Sequence, residues 1–238
     1  MRRFLFLGSV AALAACGPVI GATSSGGDGT RSFALSGFDA VRLAGSDDVR
    51  VVRGPAFSVV ASGPNAVLEK LDIHKEGTTL VITRESRMNW SWSSNRKGVQ
   101  VVVTMPAIRS AQLTGSGDMT VDRADGAQFE GGLTGSGNLN LPSVTAASVK
   151  LDVTGSGDLR ASGQAKTVAL SVTGSGDLDA SGLSSDTASV AVRGSGDARG
   201  AARQSAALTV AGSGDATVTG TRNCTISKAG SGDARCTG

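Results

Sequence analysis

The sequence predicts an all-β fold, a parallel β-helix whose rungs are about 18–20 residues long, and three observations predict it. The tetrapeptide Gly-Ser-Gly-Asp begins at Gly115, Gly155, Gly174, Gly194, Gly212 and Gly230, with a Gly-Ser-Gly-Asn copy at Gly135, so a turn recurs at spacings of 20, 20, 19, 20, 18 and 18 residues. Aliphatic residues occupy fixed even offsets from each turn. Leu113, Leu133, Val153, Val172, Val192 and Val210 lie two residues before it, and Met119, Leu139, Leu159, Leu178, Ala198, Ala216 and Ala234 lie four after it. A period of two is that of strands, and the interval between turns leaves no room for a helix. Each rung then pairs with the next about 4.8 Å away. A leucine-rich horseshoe would need an asparagine-containing consensus and a larger convex element, and the chain has neither.

Composition agrees with this architecture. The chain has 238 residues, 39% hydrophobic, 18% charged and 3% aromatic, with 34 glycines and no tyrosine. Disorder by charge excess and a collagen period are both excluded. With so few aromatics the core must be thin and aliphatic. The formal charge of +3 falls to +1 once Arg2 and Arg3 are removed with a leader, a poor basis for nucleic-acid binding.

Met1-Arg2-Arg3 followed by the apolar run Phe4 to Ala15 reads as a signal peptide over residues 1–15, too short to span a bilayer. Leu13-Ala14-Ala15-Cys16 resembles the bacterial lipobox, which implies cleavage before Cys16 and lipidation of that residue. Gly17, in place of Asp, favours the outer membrane by resemblance to proteobacterial lipoproteins. Residues 16–30 then form the lipidated N-terminus and a Gly/Ser/Thr-rich flexible tether.

The folded part is expected over residues 31–238, with an N-terminal β part (31–110) ahead of the repeats (111–238). Phe38 to Leu43, Val49 to Val52, Phe57 to Ala61, Leu80 to Thr83 and Val99 to Met105 alternate as strands, and Asn65 to Leu71 reads as one short helix. Gly45-Ser46-Asp47-Asp48 looks like a degenerate early copy of the repeat, so this part is expected to continue the same sheet. His74, the only histidine, sits among charged neighbours as a surface residue. The segment Arg84 to Lys97 carries both tryptophans, Trp90 and Trp92, interleaved with Ser and flanked by cations. It is either a hairpin packed over the end of the solenoid or a contact site that stacks on sugars or touches a partner.

In the repeats, stacked rungs place Asp118, Asn138, Asp158, Asp177, Asp197, Asp215 and Asp233 in one ladder beside a column of serines. Carboxylates about 4.8 Å apart repel by roughly 1 kcal/mol even in bulk water, so the ladder must be solvated, splayed, hydrogen-bonded or occupied by cations. One reading is turn chemistry, with glycines supplying positive φ and Asp or Asn capping nearby N–H groups. The other is a calcium-binding or ligand-binding stripe. Asn138 fits the first, because Asn caps as well as Asp and ligates calcium less strongly. No aromatic follows Phe129 and the last three rungs carry Ala after the turn, so the C-terminal rungs should be narrower and less stable per rung. Cys224 and Cys236 flank Gly230 at inward phases, and in an exported protein they are expected to pair across the terminal rung.

A lipobox, an N-terminal β region ending in Val101-Val102-Val103-Thr104-Met105-Pro106 and the repeated Gly-Ser-Gly-Asp turns together resemble the GIN-domain family, described as an auto-transporter adhesin head. The resemblance covers about residues 31–238. It implies a right-handed β-helix on secreted or surface proteins, often lipoproteins, and brings no catalytic residues.

The function expected is therefore non-catalytic: a lipid-anchored envelope protein whose β-helix displays a surface for adhesion or for a glycan or protein partner, with the membrane reached through Cys16. Candidate contacts are Trp90, Trp92, Asp118, Asp158, Asp177, Asp197 and Asp215. No motif calls for a cofactor or a catalytic metal. The alternatives are calcium binding by the Asp ladder and a glycan lyase or hydrolase, which would need acids from neighbouring rungs converging in a cleft.

Overall fold

The computed structural model describes residues 27–84 and 98–238. Their strands form one continuous 17-stranded sheet wound into a parallel β-solenoid, with the aliphatic columns inside. The single helix among the described residues is α1 (Asn65–Leu68), one turn long. It stops short of the expected Leu71 because Leu71 begins a strand and is buried there.

The first strands are β1 (Asp28–Phe33), β2 (Ala40–Gly45), β3 (Asp48–Arg53) and β4 (Ser58–Pro64). After α1 come β5 (Leu71–Glu76), β6 (Thr79–Arg84) and β7 (Gln100–Met105). The solenoid proper begins with β8 (Ser110–Gly115) and β9 (Asp118–Val121). It continues through β10 (Ala124–Gly135), β11 (Asn138–Gly155), β12 (Asp158–Gly174), β13 (Asp177–Gly194) and β14 (Ala198–Gly212). β15 (Ala216–Thr219), β16 (Cys224–Gly230) and β17 (Ala234–Thr237) complete it.

The turns stack in register, Gly115 on Gly135, then Gly155, Gly174, Gly194, Gly212 and Gly230. Gly45 lies beside Gly115, so the degenerate copy is a true rung. The uneven spacing is absorbed away from this column. Register shifts fall between Leu141 and Val144, between Arg160 and Ser162, and between Asp179 and Thr187, all at the corner after the second strand. A bulge there changes rung length without moving an inward residue of the first strand to the wrong face.

Stack order and chain order differ at the N-terminal end. The β2–β3 rung is flanked on one side by β8–β9 and on the other by β6–β7, which come between them in sequence. Beyond that rung the pairing turns antiparallel. β5 pairs with β6, β4 with β7, and β1 with β4, so both faces end in antiparallel strands. β1 starts at Asp28, inside the segment expected to be tether. The sequence hides it because an edge strand is held by backbone pairing and needs no apolar periodicity. Arg31 adds hydrogen bonds to the Leu68 and Leu71 carbonyls and lies over the Phe33 ring.

The side chains that fill the core change along the stack. Leu151, Leu141 and Phe129 close over Gly131, whose added Cβ would lie 2.8, 3.1 and 3.5 Å from them. Toward the C-terminus the column after the turn changes from Met119 and three leucines to Ala198, Ala216 and Ala234. Among the described residues no further rung covers the last one, and Ile226 is 44% exposed there.

Candidate functional site

The repeated turn is built by contacts between rungs. In each Gly-Ser-Gly the first glycine has φ between +117° and +135°, a region that disfavours a side chain. From Gly115 onward, a Cβ on either glycine would come closer than 3.0 Å to the carbonyl of its counterpart in the preceding rung. That carbonyl is in use. Gly135 O, for example, accepts the Ser156 and Gly157 N–H groups at 2.9 and 3.0 Å, and Gly155 O accepts those of Ser175 and Gly176 at 2.8 and 2.9 Å. Both glycines are thus required by backbone stacking as well as by dihedral angle, while the serines between them stay exposed.

The aspartate ladder is hydrogen-bonded to its own scaffold. Asp177 Oδ1 accepts the Asp197 N–H at 3.0 Å, Asp197 Oδ1 the Asp215 N–H at 3.1 Å, and Asp215 Oδ1 the Asp233 N–H at 2.8 Å. Asp118 Oδ1 accepts both the backbone and side-chain N–H of Asn138, at 3.2 and 2.8 Å. These four carboxylates therefore each cap a donor of the following rung, whereas the Asp177 N–H goes to the Gly157 carbonyl and leaves Asp158 without such a bond. Arginines two residues on supply counter-charge: Arg160 to Asp158 at 3.6 Å, Arg199 to Asp197 at 3.1 Å, and Arg235 to Asp233 and Asp215 at 3.8 and 4.0 Å. Asp179 stands in register between Arg160 and Arg199. Hydrogen bonds from Ser181 hold its carboxyl below the usual range, and the two arginines add to the effect.

These observations place the predicted residues. Asp118, Asp158, Asp177, Asp197 and Asp215 share one stripe, as the register required, with Asp118 and Asp177 exposed and the other three half-buried, and each is engaged by a neighbouring N–H, a guanidinium or both. Among the described residues no three His, Cys, Asp or Glu side chains are grouped to hold a metal ion. Cys224 and Cys236 are joined by a disulfide with Cα atoms 6.5 Å apart, tying β16 to β17 in the last rung. Cys16, Trp90 and Trp92 lie outside the described residues. His74 sits on an exposed face between Asp72 and Glu76, 3.2 and 3.3 Å away, and the Glu76 hydrogen bond leads the causes that raise its pKa.

Sequence reasoning missed the arginine partners, although Asp-x-Arg recurs at 158–160, 197–199 and 233–235. It also missed the ion pair between Asp47 and Arg84. Asp47 is 1% exposed and stands where later turns have their second glycine, so the break in the repeat was the available signal.

Outward positions of the first strand carry mostly small neutral side chains around one exposed cation: Ala169, Ser171 and Thr173, then Ser189, Ala191 and Arg193, then Ala207, Thr209 and Ala211. Beside it a shallow groove of about 420 Å³ is lined by residues such as Ser148, Thr167, Thr187 and Ser205. No helix among the described residues is long and apolar enough to cross a membrane.

Solved structures with this architecture include several bacterial proteins. A "putative adhesin" from Bacteroides fragilis superposes with a TM-score of 0.83 at 20% identity, covering 88% of this chain and 97% of its own. A "putative lipid binding protein" from Parabacteroides distasonis gives 0.68 at 19% identity, covering 90% and 97%. A "putative adhesin" from Parabacteroides merdae gives 0.67 at 13% identity, covering 88% and 95%. At these identities the likeness is one of fold. No curated protein matches the chain. The family model described as "Putative auto-transporter adhesin, head GIN domain" matches residues 37–222, from just before β2 to the threshold of the last rung. The chain belongs to this GIN-domain family.

Proposed function

We propose that the protein is a non-catalytic, lipid-anchored component of the bacterial envelope whose solenoid presents a rigid surface for adhesion to a glycan or protein partner. The observation that carries this reading is the state of the polar ladder. Its carboxylates are engaged by N–H groups of the next rung, by arginines two residues on, or by both, and among the described residues none converge in the manner an acid–base or metal-assisted glycan enzyme needs. A stacked sheet whose outward face is mainly Ser, Thr and Ala, with Arg193 among them, suits recognition of an extended partner. The family's description as an adhesin head supports the same class of function.

The test is binding of the full-length chain to immobilised envelope glycans, host glycans and surface proteins, with Trp90→Ala and Trp92→Ala alongside. Saturable binding without turnover of the bound glycan is expected, and weakening by either substitution would assign the contact to the tryptophan-bearing segment. Release of shortened glycan products would overturn the reading. The anchor is tested separately. Cys16→Ser is expected to move the protein from the membrane fraction to the soluble one, and unchanged membrane retention would remove the lipid from the account.

A further inference from the structure

The first turn departs from the repeat at one position. Where Gly117, Gly137, Gly157 and their successors stand, the β2–β3 rung has Asp47. It is the only buried charged residue among the described residues. A side chain fits there because the flanking β6–β7 rung has no Gly-Ser-Gly turn. Its strands are joined instead by residues 85–99, so Asp47 has no stacked glycine on that side.

The carboxylate reaches both ends of that connection. Asp47 Oδ2 accepts the Arg84 Nε–H at 2.8 Å, and Oδ1 accepts from Arg84 Nη2 and from the Val99 backbone N–H, the latter at 3.0 Å. Val99 O in turn accepts the Asp48 N–H at 3.0 Å. Arg84 closes β6, and Val99 is fully buried immediately before β7. A buried ion pair contributes little net stability compared with apolar packing, and losing one partner leaves the other uncompensated. Such a pair is suited to fixing one arrangement of the chain.

We infer that Asp47 is a positioning residue, a clasp by which one buried carboxylate fixes Arg84 at the end of β6 against Val99 immediately before β7. The inference is independent of the adhesion reading, since it concerns local order measured without a ligand.

Amide hydrogen exchange on the purified full-length protein tests it. Asp47→Gly installs the repeat's own residue and removes the clasp. Val99 N–H exchange should rise about tenfold or more, the loss of one buried hydrogen bond, while Val153 and Val172, deep in the stack, keep their protection. Asp47→Asn keeps an acceptor for Val99 and should fall between the two. Native-state trypsin cleavage after Arg87, Arg96 and Lys97 should accelerate in the same order. Unchanged Val99 exchange in Asp47→Gly would overturn the inference, as would a rise shared equally by Val153, which would mark a general loss of stability. Should Asp47→Gly fail to fold, Arg84→Gln reports on the same clasp. It should speed trypsin cleavage while leaving Val99 partly protected, and unchanged cleavage would overturn the inference.

Discussion

Gly174→Ala and Gly45→Ala form a matched pair that separates the two reasons for glycine in the turn. Both positions are the first glycine of a stacked turn, with φ of +120° and +154°. At Gly174 an added Cβ meets the Gly155 carbonyl oxygen closer than 3.0 Å, whereas at Gly45 nothing lies within 4 Å. The Gly155 oxygen cannot retreat freely, because it accepts the Ser175 and Gly176 N–H groups at 2.8 and 2.9 Å. An unfavourable φ costs about 1–3 kcal/mol, and relieving the clash weakens two hydrogen bonds of about 1 kcal/mol each. Gly174→Ala should therefore cost about 3–5 kcal/mol, and Gly45→Ala, with no clash and a φ closer to extended backbone, about 1 kcal/mol, the low end of the dihedral cost. For a domain of this size that corresponds to lowering Tm by about 6–20 °C in the first case and about 2–4 °C in the second. Thermal unfolding followed by far-UV circular dichroism, with urea midpoints as a check, measures both. Equal losses in the two variants would refute the stacking argument and leave backbone dihedral preference as the sole reason for the repeat.

Three further outcomes follow from the same geometry. Asp197→Ala leaves the Asp215 N–H without its acceptor and removes an exposed ion pair with Arg199, so it should cost about 1 kcal/mol in urea denaturation. Replacing both Cys224 and Cys236 by Ala opens a link between residues 12 apart. The loss should be about 2–3 kcal/mol and localised, with amides of β16 and β17 exchanging faster and those of β11 unchanged. His74 has its folded pKa raised by Glu76 and Asp72. Its contribution is therefore fully present below the unfolded value of about 6.5 and is lost as pH rises through the higher folded value. Urea midpoints in that window should fall with pH in the wild type and flatten in His74→Gln.

The solenoid was legible because its signals repeat. The column Leu113, Leu133, Val153, Val172, Val192 and Val210 reports the inward phase six times over, and the turn glycines fix the register. The N-terminal end was less legible. Nothing in the local pattern of β6 and β7 shows that they stack outside β2 and β3, since that order depends on long-range pairing. β1 was hidden because its edge pairing is made by the backbone. The aspartate ladder was correctly aligned, yet the chain alone left capping and cation binding both open. The direction of Asp118, Asp177, Asp197 and Asp215 toward the next rung's N–H supports capping, and it is a property of stacked coordinates that sequence spacing does not contain.

The account holds that the repeated aspartates belong to the scaffold, and calorimetric titration of the purified protein with calcium, wild type beside Asp177→Asn/Asp197→Asn, tests this directly. The predicted result is no saturable heat in either protein and a small change in stability for the double variant, since Asn retains an acceptor for the next rung's N–H. Stoichiometric calcium uptake by the wild type, abolished in the variant, would contradict it and make the ladder the functional site.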